Sequence, residues 1–150
     1  MRSWNLEGQC RCGKVRIRTS APPLLAMACH CTGCQRMSAS AFSLSAAFPA
    51  ASFSVSQGET VIGGLHGPAG HHFCAHCKSW MFTHSEAMEW FVNVRPAMFD
   101  DHAWFTPFVE TYTSKKFPWA STGAVHSFDE FPPLEAYEVL MKEYSKGIST

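Results

Sequence analysis

The apolar and polar positions of the chain fall into short runs with a period of two rather than a helical one. Lys14-Val15-Arg16-Ile17-Arg18 alternates charged and β-branched residues, as a half-buried strand does, because its successive side chains face opposite ways. Ala41–Phe48 and Ser52–Ser56 predict two more strands joined through Pro49-Ala50-Ala51, and in the second Phe53 and Val55 alternate with serines. Gly58-Glu59 reads as a turn from which Thr60–Leu65 returns antiparallel. Gly63-Gly64, Gly67-Pro68 and Gly70 mark a loop before His71-His72-Phe73-Cys74 begins another strand. Trp90–Val94 and Val109–Thr113 complete the strand candidates. One helix stands out: Pro133 suits a first turn, Leu134, Tyr137, Leu140, Met141 and Tyr144 recur at three- and four-residue steps, Glu138 precedes Lys142 by four, and Gly147 reads as a stop. Its apolar stripe predicts packing on a sheet.

Length and composition narrow this picture. The 150 residues, 46% of them hydrophobic, suit a single domain over 1–150 with one core. Twelve Lys plus Arg balance twelve Asp plus Glu, and no basic cluster exceeds Lys115-Lys116. A phosphate-binding face is therefore not expected, and nucleic acid is excluded as a partner. The first residues carry no apolar leader segment, and the most apolar stretch, Ala21–Cys29, is short and contains Pro22-Pro23, so neither a membrane span nor secretion is expected. In the cytoplasm so implied, disulfides are rare. The seven cysteines then point to metal.

They stand in three groups: Cys10-Arg11-Cys12, Cys29-His30-Cys31-Thr32-Gly33-Cys34 and Cys74-Ala75-His76-Cys77. Two pairs make a four-thiolate site typical of structural zinc, which has no ligand-field preference and closes its shell with four soft donors. The triplet has three donors and leaves a vacancy. In a strand a C-x-C presents both sulfurs to one side, with Arg11 or His30 turned away, and a C-x-x-C knuckle does the same through a tight turn eased at Gly33. Thioredoxin-like redox chemistry would need a helix opening at the motif within a βαβ unit, which Lys78-Ser79-Trp80-Met81-Phe82 does not predict.

These runs resemble the glutathione-dependent formaldehyde-activating enzyme (GFA) family, whose domain is shared with centromere protein V. The resemblance lies in Gly8-Gln9-Cys10-Arg11-Cys12-Gly13-Lys14-Val15-Arg16, in Cys29-His30-Cys31-Thr32-Gly33-Cys34-Gln35-Arg36-Met37-Ser38, in Phe73-Cys74-Ala75-His76-Cys77-Lys78-Ser79 and in Lys116-Phe117-Pro118-Trp119. It implies a mainly β fold, a Mss4-like β-tent of antiparallel sheets, with the short C-terminal helix added. It also implies two zinc ions, a structural one on Cys10, Cys12, Cys74 and Cys77 and a catalytic one on Cys29, Cys31 and Cys34. Spacing alone permits this partition, and the resemblance selects it. Ala39 and Lys78 stand where the family commonly has glycine, which predicts altered loops beside both sites.

The implied activity is that of a carbon–sulfur lyase or synthase acting on a glutathione-type thiol and an aldehyde, as in S-hydroxymethylglutathione formation. A zinc ion with an open position activates the thiol as thiolate. His30, His71, His72 and His76 are the sequence neighbours that could move protons, although alternation turns His30 from the metal and His76 reads as a solvent-facing filler in its knuckle. Trp119 is read either as a pocket wall or as a core residue. The rival readings are a zinc-stabilised binding module without catalysis and a thiol redox sensor.

Overall fold

The computed structural model describes residues 2–148. The fold is mainly β, with eleven strands and a C-terminal helix, as the sequence predicts. The strands are β1 (Leu6–Gln9), β2 (Arg16–Thr19), β3 (Leu25–Cys29), β4 (Ser43–Pro49), β5 (Phe53–Gln57), β6 (Thr60–His66), β7 (Ala69–Cys74), β8 (Trp80–Thr83), β9 (Phe91–Val94), β10 (Val109–Thr111) and β11 (His126–Ser127). A short helix α1 (Thr32–Ser38) follows β3, and α2 (Leu134–Ile148) ends the described chain. Among the described residues no helix is long and apolar enough to cross a membrane.

The chain packs as two compact units, each assembled from separate stretches of sequence. The first comprises residues 24–46 and 105–148. Within it the strand order is β11-β10-β3-β4, and β10 runs parallel to both β3 and β11, pairing Thr111 with Cys29 and Glu110 with Ser127. The antiparallel expectation thus fails locally at β10. β3 is buried at Leu25, Ala26 and Ala28, and α2 packs on it, with Leu140 and Tyr144 the two buried positions of its stripe. Leu134, assigned to that stripe by its spacing, is exposed. Gly147 lies inside the helix rather than at its end.

The second unit comprises residues 2–23 and 47–104. It holds a three-stranded antiparallel sheet in the order β1-β2-β5 and a run in the order β9-β8-β7-β6. β5 and β6 are consecutive but do not form the expected hairpin. β5 pairs with β2, Ile17 opposite Val55, while β6 pairs with β7. Gly63-Gly64 lies within β6 rather than in a loop, and the turn comes at Gly67-Pro68. The glycine has a packing reason: a Cβ at Gly63 would come within 2.8 Å of the Phe73 ring, so the missing side chain lets that ring lie against the backbone. The core of this unit includes Val15, Ile17, Phe48, Met81, Val92, Val94 and Phe99.

Candidate metal centre

Cys10, Cys12, Cys74 and Cys77 converge within the second unit. Their sulfurs all lie within 4.8 Å of one another, with Cys10 and Cys12 3.5 Å apart and Cys12 and Cys74 3.8 Å apart. Four sulfurs placed tetrahedrally at zinc–thiolate bond length would be separated by about 3.8 Å, so the set fits that ion. Both pairs sit in turns at strand ends rather than on strand faces. Cys10 follows β1, and Gly13, with φ of 80°, sends its N–H back to the Cys10 carbonyl. Cys74 ends β7, and Lys78 N–H returns to its carbonyl. The sulfurs accept backbone N–H donors in the manner of metal knuckles: Val15 to Cys10 at 3.4 Å, Lys14 to Cys12 at 3.5 Å, and His76 and Cys77 to Cys74 at 3.3 Å each.

Cys29, Cys31 and Cys34 converge in the first unit, again within 4.8 Å, and among the described residues no fourth His, Cys, Asp or Glu joins them. Cys29 ends β3. Cys31 is the N-cap of α1, and its sulfur accepts the Cys34 N–H at 3.3 Å. The expected knuckle is therefore the first turn of a helix, which brings the cap and the third helical position together. The hydrogen bond from Cys34 is the chief cause that pulls the Cys29 thiol down to about 5, against the burial that raises it and with help from Thr111 and Cys31. The same pairing pushes the Cys34 thiol up.

His30 sits between two of these cysteines and is turned from them, as alternation predicts. It is fully buried, and its Nε2 lies 2.7 Å from Glu110 Oε1. Because an ionised carboxylate only accepts, Nε2 carries the proton. Thr122 donates to the same oxygen at 3.1 Å and Ser127 to Oε2 at 2.6 Å. Burial works to raise the Glu110 carboxyl, but the bonds from Ser127, His30 and Thr122 outweigh it and hold the group below its ordinary value. The loop is also pinned from its other side, since Gln35 Nε2 donates to the His30 carbonyl at 2.7 Å and to the Lys115 carbonyl at 2.9 Å.

A depressed carboxyl contributes stability that is complete above its unfolded value and disappears as pH falls through the folded one. Acidification from about pH 4.5, the ordinary glutamate value, should therefore remove this contribution, and Glu110→Gln should flatten that part of the profile. At neutral pH the variant should cost about 1–2 kcal/mol. Denaturant titrations of both proteins across pH 3–6 check it. Parallel profiles would show that Glu110 holds nothing.

The other histidines of the prediction lie in the second unit, with the four-cysteine set. His71 Nδ1 pairs with Thr83 at 2.8 Å, His72 Nδ1 with Thr60 at 2.8 Å, and His72 stacks on Phe82. Burial lowers both imidazoles. His76 is exposed in its turn. In the unit of the three cysteines the histidines are His30 and His126, and His126 is engaged by Glu143 at 2.5 Å.

Trp119 is 74% exposed, which removes its reading as a core residue. It stacks with Phe117 at 5.9 Å. With Gln35, Arg36, Ala39, Ser40 and Ala41 the pair lines an open groove of about 500 Å³ along α1. Ala39 and Lys78, the two positions where glycine was expected, both adopt left-handed backbone, with φ of 51° and 62°. Both positions thus hold a side chain in a backbone conformation that favours glycine. Glu110, Thr111 and Gln35 were not anticipated as parts of the site. A glutamate between two buried residues of a strand, Val109 and Thr111, was the available signal for the first.

A mainly β protein with one four-cysteine cluster and one three-cysteine cluster carries two sites that could hold a metal ion. Residues 5–115 match the model of the family described as glutathione-dependent formaldehyde-activating enzyme, and the chain belongs to that family. No curated protein matches it. Among solved structures it is similar to the crystal structure of a Rhodobacter sphaeroides protein, with a TM-score of 0.53 and 18% identity over 81% of this chain and 98% of that one. At that identity the likeness concerns the fold.

Proposed function

We propose that the protein makes and breaks the carbon–sulfur bond between a glutathione-type thiol and an aldehyde such as formaldehyde, with zinc on Cys29, Cys31 and Cys34. The carrying observation is that these three sulfurs converge without a fourth side-chain donor among the described residues. Zinc held by these three cysteines would supply the Lewis acidity that favours the thiolate form of an incoming thiol at neutral pH. The chain's own residues do the rest. Cys29 and Cys31 are fixed in position by the His30–Glu110 bond, and Cys34 by the first turn of α1. Arg36, on the groove, offers a guanidinium to a carboxylate of the thiol substrate, and the Phe117–Trp119 stack offers it an apolar wall. In the forward direction the substrate sulfur bonds to the aldehyde carbon, the carbonyl π pair moves to oxygen, and that oxygen gains a proton to become the hydroxyl of the adduct.

In the same reading the other four cysteines hold a structural zinc, and the reducing cytoplasm is the compartment that suits seven cysteines without a disulfide. The test is exchange NMR on glutathione and formaldehyde, with wild type and with Cys29, Cys31 and Cys34 replaced together by serine. Wild type is expected to exceed the uncatalysed rate. The triple variant should keep the fold, lose one zinc and return to the background rate. A wild type with two zinc ions and no acceleration would end the catalytic reading and leave a zinc-stabilised binding module.

A further inference from the structure

Beyond the family match lies α2, which starts beside the Cys29 end of β3: Thr111 pairs with Cys29, and the next residue, Tyr112, meets Phe131 edge-on at 4.8 Å just before the helix begins. Tyr144 marks the far end of the contact: its ring packs 5.4 Å from Phe108, whose N–H bonds to the Ala26 carbonyl at 2.8 Å. His126 fixes the same level, since it pairs with Val109, which pairs with Met27, and its ring bonds Glu143. Tyr137 lies two helical turns before Tyr144, about 10 Å along the axis. Cys29 lies three strand residues beyond Ala26, again about 10 Å. Tyr137 also shares the strand-facing stripe with Leu140 and Tyr144 and is half-buried. A tyrosine phenol is protonated at neutral pH and can donate.

We propose that Tyr137 is a catalytic residue of the three-cysteine site, its phenol O–H donating a hydrogen bond to the aldehyde-derived oxygen of the thiol adduct. The inference rests on the functional reading above and supplies a donor for the adduct oxygen, since Nε2 of each histidine of this unit is engaged by a glutamate. As the carbon–sulfur bond forms, the π pair on oxygen is stabilised by the phenol, which keeps its own proton. The proton shed by the thiol on binding returns to that oxygen through water. A donor aimed where charge develops is the arrangement that lowers such a barrier most.

The chain has three tyrosines, so protein labelled with ¹³C at tyrosine Cζ gives a readable spectrum, with Tyr137→Phe assigning the resonance. The Tyr137 signal is expected to shift when zinc is loaded and again when glutathione and formaldehyde are added, and to be unresponsive in the Cys29, Cys31, Cys34 serine variant. Tyr137→Phe should keep the fold and both zinc ions and lower kcat on the order of 100-fold, with a smaller change in KM. A Tyr137 resonance indifferent to metal and adduct overturns the inference, as does full kcat in an active, folded Tyr137→Phe protein. A wild type that does not outpace solution overturns the functional reading and this role with it, which separates the two failures.

Discussion

Serine in place of both Cys10 and Cys74 is expected to leave a chain that does not fold, whatever zinc is supplied. These two sulfurs are the buried pair of their set, 2% and 0% exposed, and each belongs to a turn whose backbone N–H groups point at sulfur. Binding of a structural zinc by four thiolates contributes on the order of 10 kcal/mol, comparable to the entire stability of a small domain. Circular dichroism with metal analysis reads the outcome. The triplet variant is the control, expected to lose an ion and keep its strands. Wild-type melting of the Cys10, Cys74 double variant would show that this set does not hold the fold together.

Phe48→Ala is expected to be the most damaging single substitution away from the cysteines, costing about 3–5 kcal/mol. Phe48 is fully buried on β4, and its ring meets Phe99 edge-on at 5.5 Å and Trp104 at 6.2 Å. Truncation removes the aromatic contacts together with the buried area and leaves a cavity that aromatic neighbours cannot easily close. Urea titration should move the midpoint down with little change in slope. A loss below about 1 kcal/mol would show that the neighbours collapse into the space.

The candidate site was largely legible because its chemistry is written in spacing. Cys74 to Cys77 and Cys29 to Cys34 are local motifs, and a local motif needs no knowledge of which strands pair. The two-residue period marked β2, β4 and β5 for the same reason. β3 was missed because Leu25, Ala26 and Ala28 are all buried and produce no alternation. The β5–β6 hairpin was wrongly expected because a short glycine turn resembles a hairpin turn, while the pairing of Ile17 with Val55 is a long-range choice invisible in either segment. Glu110 and Tyr137 became parts of the site only through packing. One lies 80 residues from its histidine partner, and the other sits on a stripe whose spacing indicated core alone.

Cys31 has two duties, since the sulfur offered to a metal also receives the first free amide of α1. A serine hydroxyl can take over that amide but is a poor soft-metal donor, so Cys31→Ser separates coordination from helix initiation. Alanine would abolish both at once. A seven-residue helix with no buried side chain has little else to start it, so alanine scanning would exaggerate the importance of the metal here.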